Sequence, residues 1–148
     1  MEDIFLFLHQ FPQNLAGYLL TLRPKHIKAF TCNDGEVVQV YFTKTVLGCG
    51  VSLGDYIILD NDVYFEASNT DEWYYVNTVN HEHGHQKQSR MLGWSYLIVV
   101  GLISAVFNNL FDRIFHKNWN STDKAKWYYS RFPEKWADEL GSVERFKA

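Results

Sequence analysis

The spacing of apolar positions changes several times along the chain, and each change marks an element. Leu15, Tyr18, Leu19 and Leu22 recur at helical spacing until Pro24 stops the run, which predicts a packing helix; Pro12 separates it from a short preceding turn. From His26 to Thr43 the pattern becomes an alternation. Ile27, Ala29 and Thr31 interleave with Lys28 and Phe30, and Val37 to Phe42 forms a return strand. Between them Asn33-Asp34-Gly35 supplies an Asp-Gly pair suited to the positive φ angles of a tight hairpin. Gly48, Gly50 and Gly54 then punctuate a loop or short strand. Tyr56 to Leu59 reads as a compact apolar strand, Asp60-Asn61-Asp62 as a turn, and Val63 to Phe65 as a segment pairing back. The acidic turn lacks the glycine and distal glutamate of a calcium loop, so it is an ordinary turn.

The second half reads as helical. A helix is expected to begin near Asn69 or Thr70, with Asp71 and Glu72 in its first turn, and to run to Leu92, where Gly93 ends it. A last helix begins near Pro133 and continues through Ala137 and Leu140. Between these lies a run from Met91 to Phe111 without a charged residue, bounded by Arg90 and Asp112. It is long enough to cross a bilayer as a helix. Ser95, Ser104, Asn108, Asn109 and two glycines lower its hydropathy, so the expected placement is a buried helix, or a helical hairpin broken near Gly101.

With 148 residues, 47% of them apolar, the chain reads as a single domain, 1–148, with enough apolar surface for a core. A formal charge of −3 and a pI near 6.0 offer no basic stripe for phosphates, which argues against a nucleic-acid partner. Cys32 and Cys49 match no zinc knuckle or redox pair and are expected as isolated buried thiols rather than a disulfide. Met1-Glu2-Asp3 carries acid where an export signal carries base, and the apolar run that follows is short. The expectation is a cytoplasmic protein without a secretory signal; membrane association through 91–111 is the alternative.

Candidate chemistry concentrates in His81-Glu82-His83-Gly84-His85, an H-E-x-x-H pattern. Residues four apart on a helix lie one turn above each other, so His81 and His85 can converge on one metal ion. Glu82 is turned aside from that line, where a carboxylate can take a proton from attacking water. His83 faces elsewhere. A catalytic zinc site needs a third protein ligand. Glu134 is the best placed to supply it, with Asp138 four residues on to hold the far nitrogen of a ligand histidine. The plainer alternative makes Glu134, Asp138 and Glu139 a solvated helix face.

The pairing of H-E-x-x-H with a later S-R-x-x-E-x-x-A-D-x-x-G, here Ser130, Arg131, Glu134, Ala137, Asp138 and Gly141, resembles the gluzincin metallopeptidases. It is most similar to the branch of prenyl-protein (CAAX) peptidases and heat-shock membrane peptidases. The stretch from His81 to Gly101 also resembles small uncharacterised bacterial proteins. The likeness covers Asn80 to Leu92 and Ser130 to Gly141. It implies that His81, His85 and Glu134 bind Zn2+, that Glu82 is the general base, and that Asp138 supports a ligand. It also implies a zincin-like α+β fold: a small antiparallel sheet packed on an active-site helix and a C-terminal ligand helix. A strand before the active-site helix, Tyr56 to Leu59 or Val63 to Phe65, is then the expected wall for an extended substrate. The chain is much shorter than the membrane peptidases of that branch and has one apolar run where they have several.

The function expected from these residues is zinc-dependent peptide hydrolysis, with a peptide or protein substrate. Two alternatives stand beside it: a non-catalytic zinc-binding module on the same scaffold, and a membrane-associated protease. Tyr128, Tyr129, Arg131 and His116 are each chemically able to stabilise the transition state.

Overall fold

The computed structural model of the chain describes residues 2–22, 24, 26–44, 50–60 and 72–145. Among these, α1 (Glu2–His9) and α2 (Phe11–Leu20) precede four strands, β1 (His26–Thr31), β2 (Val37–Thr43), β3 (Gly50–Leu53) and β4 (Tyr56–Asp60). Four helices follow: α3 (Glu72–Leu92), α4 (Leu97–Phe115), α5 (Ser121–Tyr129) and α6 (Glu134–Leu140). The class is α+β.

The Asp-Gly hairpin forms as its sequence predicts. Gly35 takes φ +87°, its N–H donates to Cys32 O at 2.9 Å, and Cys32 N–H donates to Glu36 O at 2.8 Å. β1 and β2 then pair antiparallel, His26 opposite Phe42 and Thr31 opposite Val37. Asp60 ends β4; the segment from Asn61 through Val63–Phe65 to Asp71, and Cys49, lie outside the described residues.

The expected antiparallel sheet is corrected in one pairing. The strand order is β1-β2-β4-β3, and β2 meets β4 in parallel, Val40 opposite Ile57. β3 and β4 form their own antiparallel hairpin around Gly54, at φ +61°. When its second strand docks on β2, the pair is parallel. A sequence pattern does not say which strand of a hairpin will dock. As an inner strand, β4 buries Ile57, Ile58 and Leu59 fully, on both faces. One face joins Val38, Val40 and Phe42 of β2 and Val79 of α3 in the core.

Helix α2 turns the opposite way from its expected packing face. Leu15, Tyr18, Leu19 and Leu22 are exposed, while Gln13, Asn14 and Gly17 are buried. The buried amides hold the helix in place. Gln13 Nε2 donates to Gly93 O at 2.7 Å, and Asn14 Oδ1 accepts from Asp55 N–H at 2.8 Å. Gly17 lets the helix approach the β3–β4 hairpin, since a Cβ there would lie 2.7 Å from Leu53 O.

α3 runs through the middle of the molecule and buries polar side chains from Asn80 to Gln86. Gly93, at φ +54°, ends it as expected. α6 crosses α3 at backbone contact. A Cβ on Gly84 would lie 1.9 Å from Ala137 O, and one on Gly141 would lie 2.0 Å from Asn80 O. Gly84, costly in mid-helix by itself, is therefore the residue that admits the crossing.

The buried placement expected for the apolar run is not what is found. α4 continues past Gly101 without a break, Leu97–Leu110 wound with i→i+5 pairing and Phe111–Phe115 α-helical. Only 11% of its most apolar stretch is buried. Within Leu97–Leu110 only Val100 and Asn108 are fully buried, so the polar residue faces the protein while its apolar neighbours face outward. α5 had no counterpart in the apolar pattern. Asn120 caps it, its side-chain oxygen accepting from Asp123 N–H at 2.8 Å.

A candidate metal centre between α3 and α6

The α3–α6 crossing brings His81, His85 and Glu134 together. His81 Nε2 lies 3.1 Å and His85 Nε2 3.2 Å from the same oxygen, Glu134 Oε2. All three residues are buried, and their ligand atoms lie within 4.8 Å of one another, a grouping able to hold a metal ion. Helical spacing accounts for the two rings; their centroids are 4.7 Å apart. Glu134 reaches them because α6 begins at the crossing.

The outer nitrogens settle which atoms face inward. His81 Nδ1 donates to Asp138 Oδ1 at 2.7 Å. His85 Nδ1 lies 2.7 Å from Gln88 Oε1, and Gln88 Nε2 is occupied in donating to Pro133 O at 2.9 Å, so the ring is the donor. In neutral rings both Nε2 atoms then present lone pairs, and both aim at a carboxylate oxygen. Three converging acceptors repel unless a cation joins them. The residues present thus fit a metal ion.

The site favours positive charge, and a proton on His81 competes with a metal ion for it. Burial works against a charged His81 ring, but the bonds to Asp138 and Glu134 outweigh it and raise its pKa to about 9. Burial also opposes charge on Glu134, yet its bonds with His81 and His85 hold the carboxyl far below the usual range. The pocket attracts positive charge.

Glu82 lies beside this group. It is buried, its Oε2 has no hydrogen-bond partner among the described residues, and burial lifts its carboxyl above the ordinary value against the pull of His81 and His85. The neighbouring wall is the start of β3. A Cβ on Gly50 would lie 2.7 Å from Glu82 Oε1, so glycine there leaves the carboxylate its space. This changes the expected cleft wall. Tyr56–Leu59 is internal to the sheet as β4, and it is β3 that stands next to Glu82.

Three supporting residues were not anticipated. Ser104 of α4 donates its hydroxyl to Glu134 Oε1. Gln88 fixes His85. Arg145 lies behind Asp138, its Nε donating at 2.8 and 3.1 Å to the two carboxylate oxygens. Its guanidinium also covers the Tyr129 ring at 3.6 Å. A polar residue in an apolar run and a Gln three residues after a ligand histidine were signals available in the sequence. Arg145 carried none.

The four proposed transition-state donors separate. Tyr129 packs edge-on to His81 at 5.3 Å between centroids, and the Tyr128 hydroxyl lies 3.3 Å from Ser104 Oγ. Burial, with Glu134 nearby, raises the Tyr128 pKa and keeps its hydroxyl protonated. His116 and Arg131 belong to a different cluster. His116 pairs with Asp112 at 3.1 Å and packs on Trp127, while Arg131 covers the Trp127 ring at 4.6 Å.

Comparison of the chain with protein-family models, with curated proteins and with solved structures gave no match.

Proposed function

We propose that the protein is a zinc-dependent metallopeptidase, as the H-E-x-x-H helix and the later glutamate helix suggest. The observation that carries this reading is the Oε2 of buried Glu82, unpartnered among the described residues, beside three converging ligand atoms. A structural metal site has no use for such a carboxylate, which weighs against a non-catalytic module. The nitrogen–nitrogen–oxygen donor set suits zinc. A four-stranded sheet beside an active-site helix, with the ligand helix crossing it, supports reading the domain as a minimal zincin-like fold.

His81, His85 and Glu134 would hold the ion, with Asp138 and Gln88 orienting the two rings. Zinc, when bound, supplies Lewis acidity, polarising a carbonyl and acidifying water. Glu82 takes the proton from water as the new C–O bond forms and delivers it to the amine nitrogen as the C–N bond breaks. Burial raises its pKa and so strengthens it as a proton acceptor. Tyr128 is the donor assigned to the developing oxyanion, because its hydroxyl already stands beside Glu134.

Metal analysis and hydrolysis of a peptide library, in wild type and Glu82→Gln, test this reading. The expected outcome is about one zinc per chain in both proteins, with hydrolysis reduced at least about 100-fold in the variant. Wild-type protein that takes up no zinc from a zinc-supplemented buffer overturns it, as does unchanged hydrolysis in the variant.

A further inference from the structure

Helix α4 poses a problem that the metal centre does not solve. It presents Ile98, Leu102, Phe107, Leu110 and Phe115 to the outside, each about half or more exposed. The polar side chains of its apolar stretch, 97–111, bond within the protein. Ser104 bonds Glu134, Asn108 Nδ2 donates to Phe132 O at 3.2 Å, and Asn109 Nδ2 donates back to Ser104 O at 2.9 Å. What remains outward between Leu97 and Phe111 is mostly hydrocarbon. A helix in water ordinarily does the reverse.

The apolar surface extends beyond α4. Trp94, in the turn before it, is 67% exposed and donates its indole N–H to Leu8 O of α1 at 2.7 Å. Through that contact α4 adjoins α1 and α2, which expose Ile4, Phe5, Leu8, Leu19 and Leu20. α2 is held to the rest by its buried amides Gln13 and Asn14, which leaves its apolar side chains outermost.

We infer that α4, together with α1 and α2, is embedded in a lipid bilayer. The distribution of charge and aromatic residues selects lipid over a second copy of the chain. A protein interface is a bounded patch with an apolar centre and a polar rim. Here the apolar exposure runs the length of α4. Charge appears only at Arg90 before the helix and, in its last turn and beyond, at Asp112, Arg113 and Lys117, with Trp94 and Trp119 near those ends. Apolar middle, charged ends and flanking tryptophans are the pattern of a segment in hydrocarbon. Ser104, Asn108 and Asn109 each bond within the protein, as a medium that cannot hydrogen-bond requires of the polar side chains in the apolar stretch 97–111. Ser104 then ties the metal centre to the membrane-facing helix. This inference stands whether or not the protein is a peptidase.

The test uses the full chain with a C-terminal affinity tag, expressed in a bacterial host. Wild type is expected in the membrane fraction after alkaline carbonate washing. In detergent-free flotation it is expected to rise with vesicles of phosphatidylcholine containing a minority of phosphatidylglycerol. A Leu102→Lys/Leu110→Lys double variant is expected to float at least about tenfold less, because charge at a hydrocarbon-facing position opposes insertion. As a readout independent of folding in the variant, brominated lipid is expected to quench wild-type tryptophan fluorescence. Wild-type protein that is a soluble monomer without detergent overturns the inference. So does a soluble dimer that the double variant separates, which would assign the surface to a second copy. Absence of quenching in wild type that co-floats with vesicles would also overturn it.

Discussion

Helix α3 carries three histidines within five residues, and they serve two clusters of opposite character. His81 and His85 converge with Glu134; His83 points to Asp34 and Glu36 at the hairpin tip, at 3.1 and 3.2 Å. Each cluster gathers two or more nitrogen and carboxylate ligand atoms closely enough to hold an ion. Their neighbours differ. Asp34 is paired with Lys87 Nζ at 2.5 Å and Glu36 with Arg90 at 2.6 Å. Among the described residues no lysine or arginine pairs with Glu134; the nearby guanidinium, Arg145, sits one layer back on Asp138. The hairpin cluster already contains its cations and acts as a clamp between β1–β2 and α3. The buried cluster, with its rings neutral, presents converging acceptors that no lysine or arginine among the described residues answers. Composition alone does not make a metal site; the decisive quantity is the charge left unanswered.

Removing one residue from each cluster tests this contrast most severely. Glu134→Ala is expected to leave less than about a tenth of a zinc per chain after dialysis, while His83→Ala keeps about one. Elemental analysis of folded protein, checked by circular dichroism, decides it. Zinc lost from a folded His83→Ala variant would break the contrast outright.

A second, smaller effect concerns the layer behind His81. Asp138→Asn is expected to weaken zinc affinity by roughly 10- to 100-fold, and Arg145→Ala by roughly 10-fold, because each loosens the orientation of the ligand ring. Competition with a chromophoric chelator measures both. Affinity equal to wild type in Arg145→Ala would reduce that residue to a packing partner of Tyr129.

The smallest effect belongs to the clamp. The bond from Lys87 is the main reason that the Asp34 carboxyl is held well below its ordinary range. A folded pKa below the unfolded one means stability that is present above about pH 4 and is lost as pH falls below it. Both side chains are partly exposed, so screening limits the contribution to about 0.5 kcal/mol. Wild type is therefore expected to exceed Asp34→Asn by that amount near neutral pH, with the gap closing in acid, as followed by urea unfolding. A gap that persists in acid would mean the carboxylate's charge is not what the clamp uses.

Much of the candidate metal centre could be read along the chain because it rests on short-range geometry. The four-residue spacing of His81 and His85, the offset of Glu82, and the spacing of Glu134 to Asp138 are properties of one or two helical turns. The Asp-Gly hairpin was legible for the same reason. Where the reading failed, the missing information lay in contacts between distant segments. Apolar spacing in α2 marked a face without saying which face would be buried, and buried amides reversed the outcome. Tyr128 and His116 were chemically equivalent candidates until packing placed one against Ser104 and the other against Trp127.

By itself, then, the sequence determined the local pieces: a hairpin closed at Gly35, a helix with two histidines on one line and a glutamate beside them, and a later helix bearing two carboxylates. Only the tertiary structure decided that these pieces meet. Backbone contact at Gly84 and Gly141 sets Glu134 Oε2 against both rings, Arg145 returns to Asp138, Gly50 makes room for Glu82, and α4 turns its polar side chains inward. The physical reason is range. Helix and turn geometry are set within a few residues, whereas the direction in which a lone pair, a charge or an apolar face points depends on what packs against it from some 50 residues away.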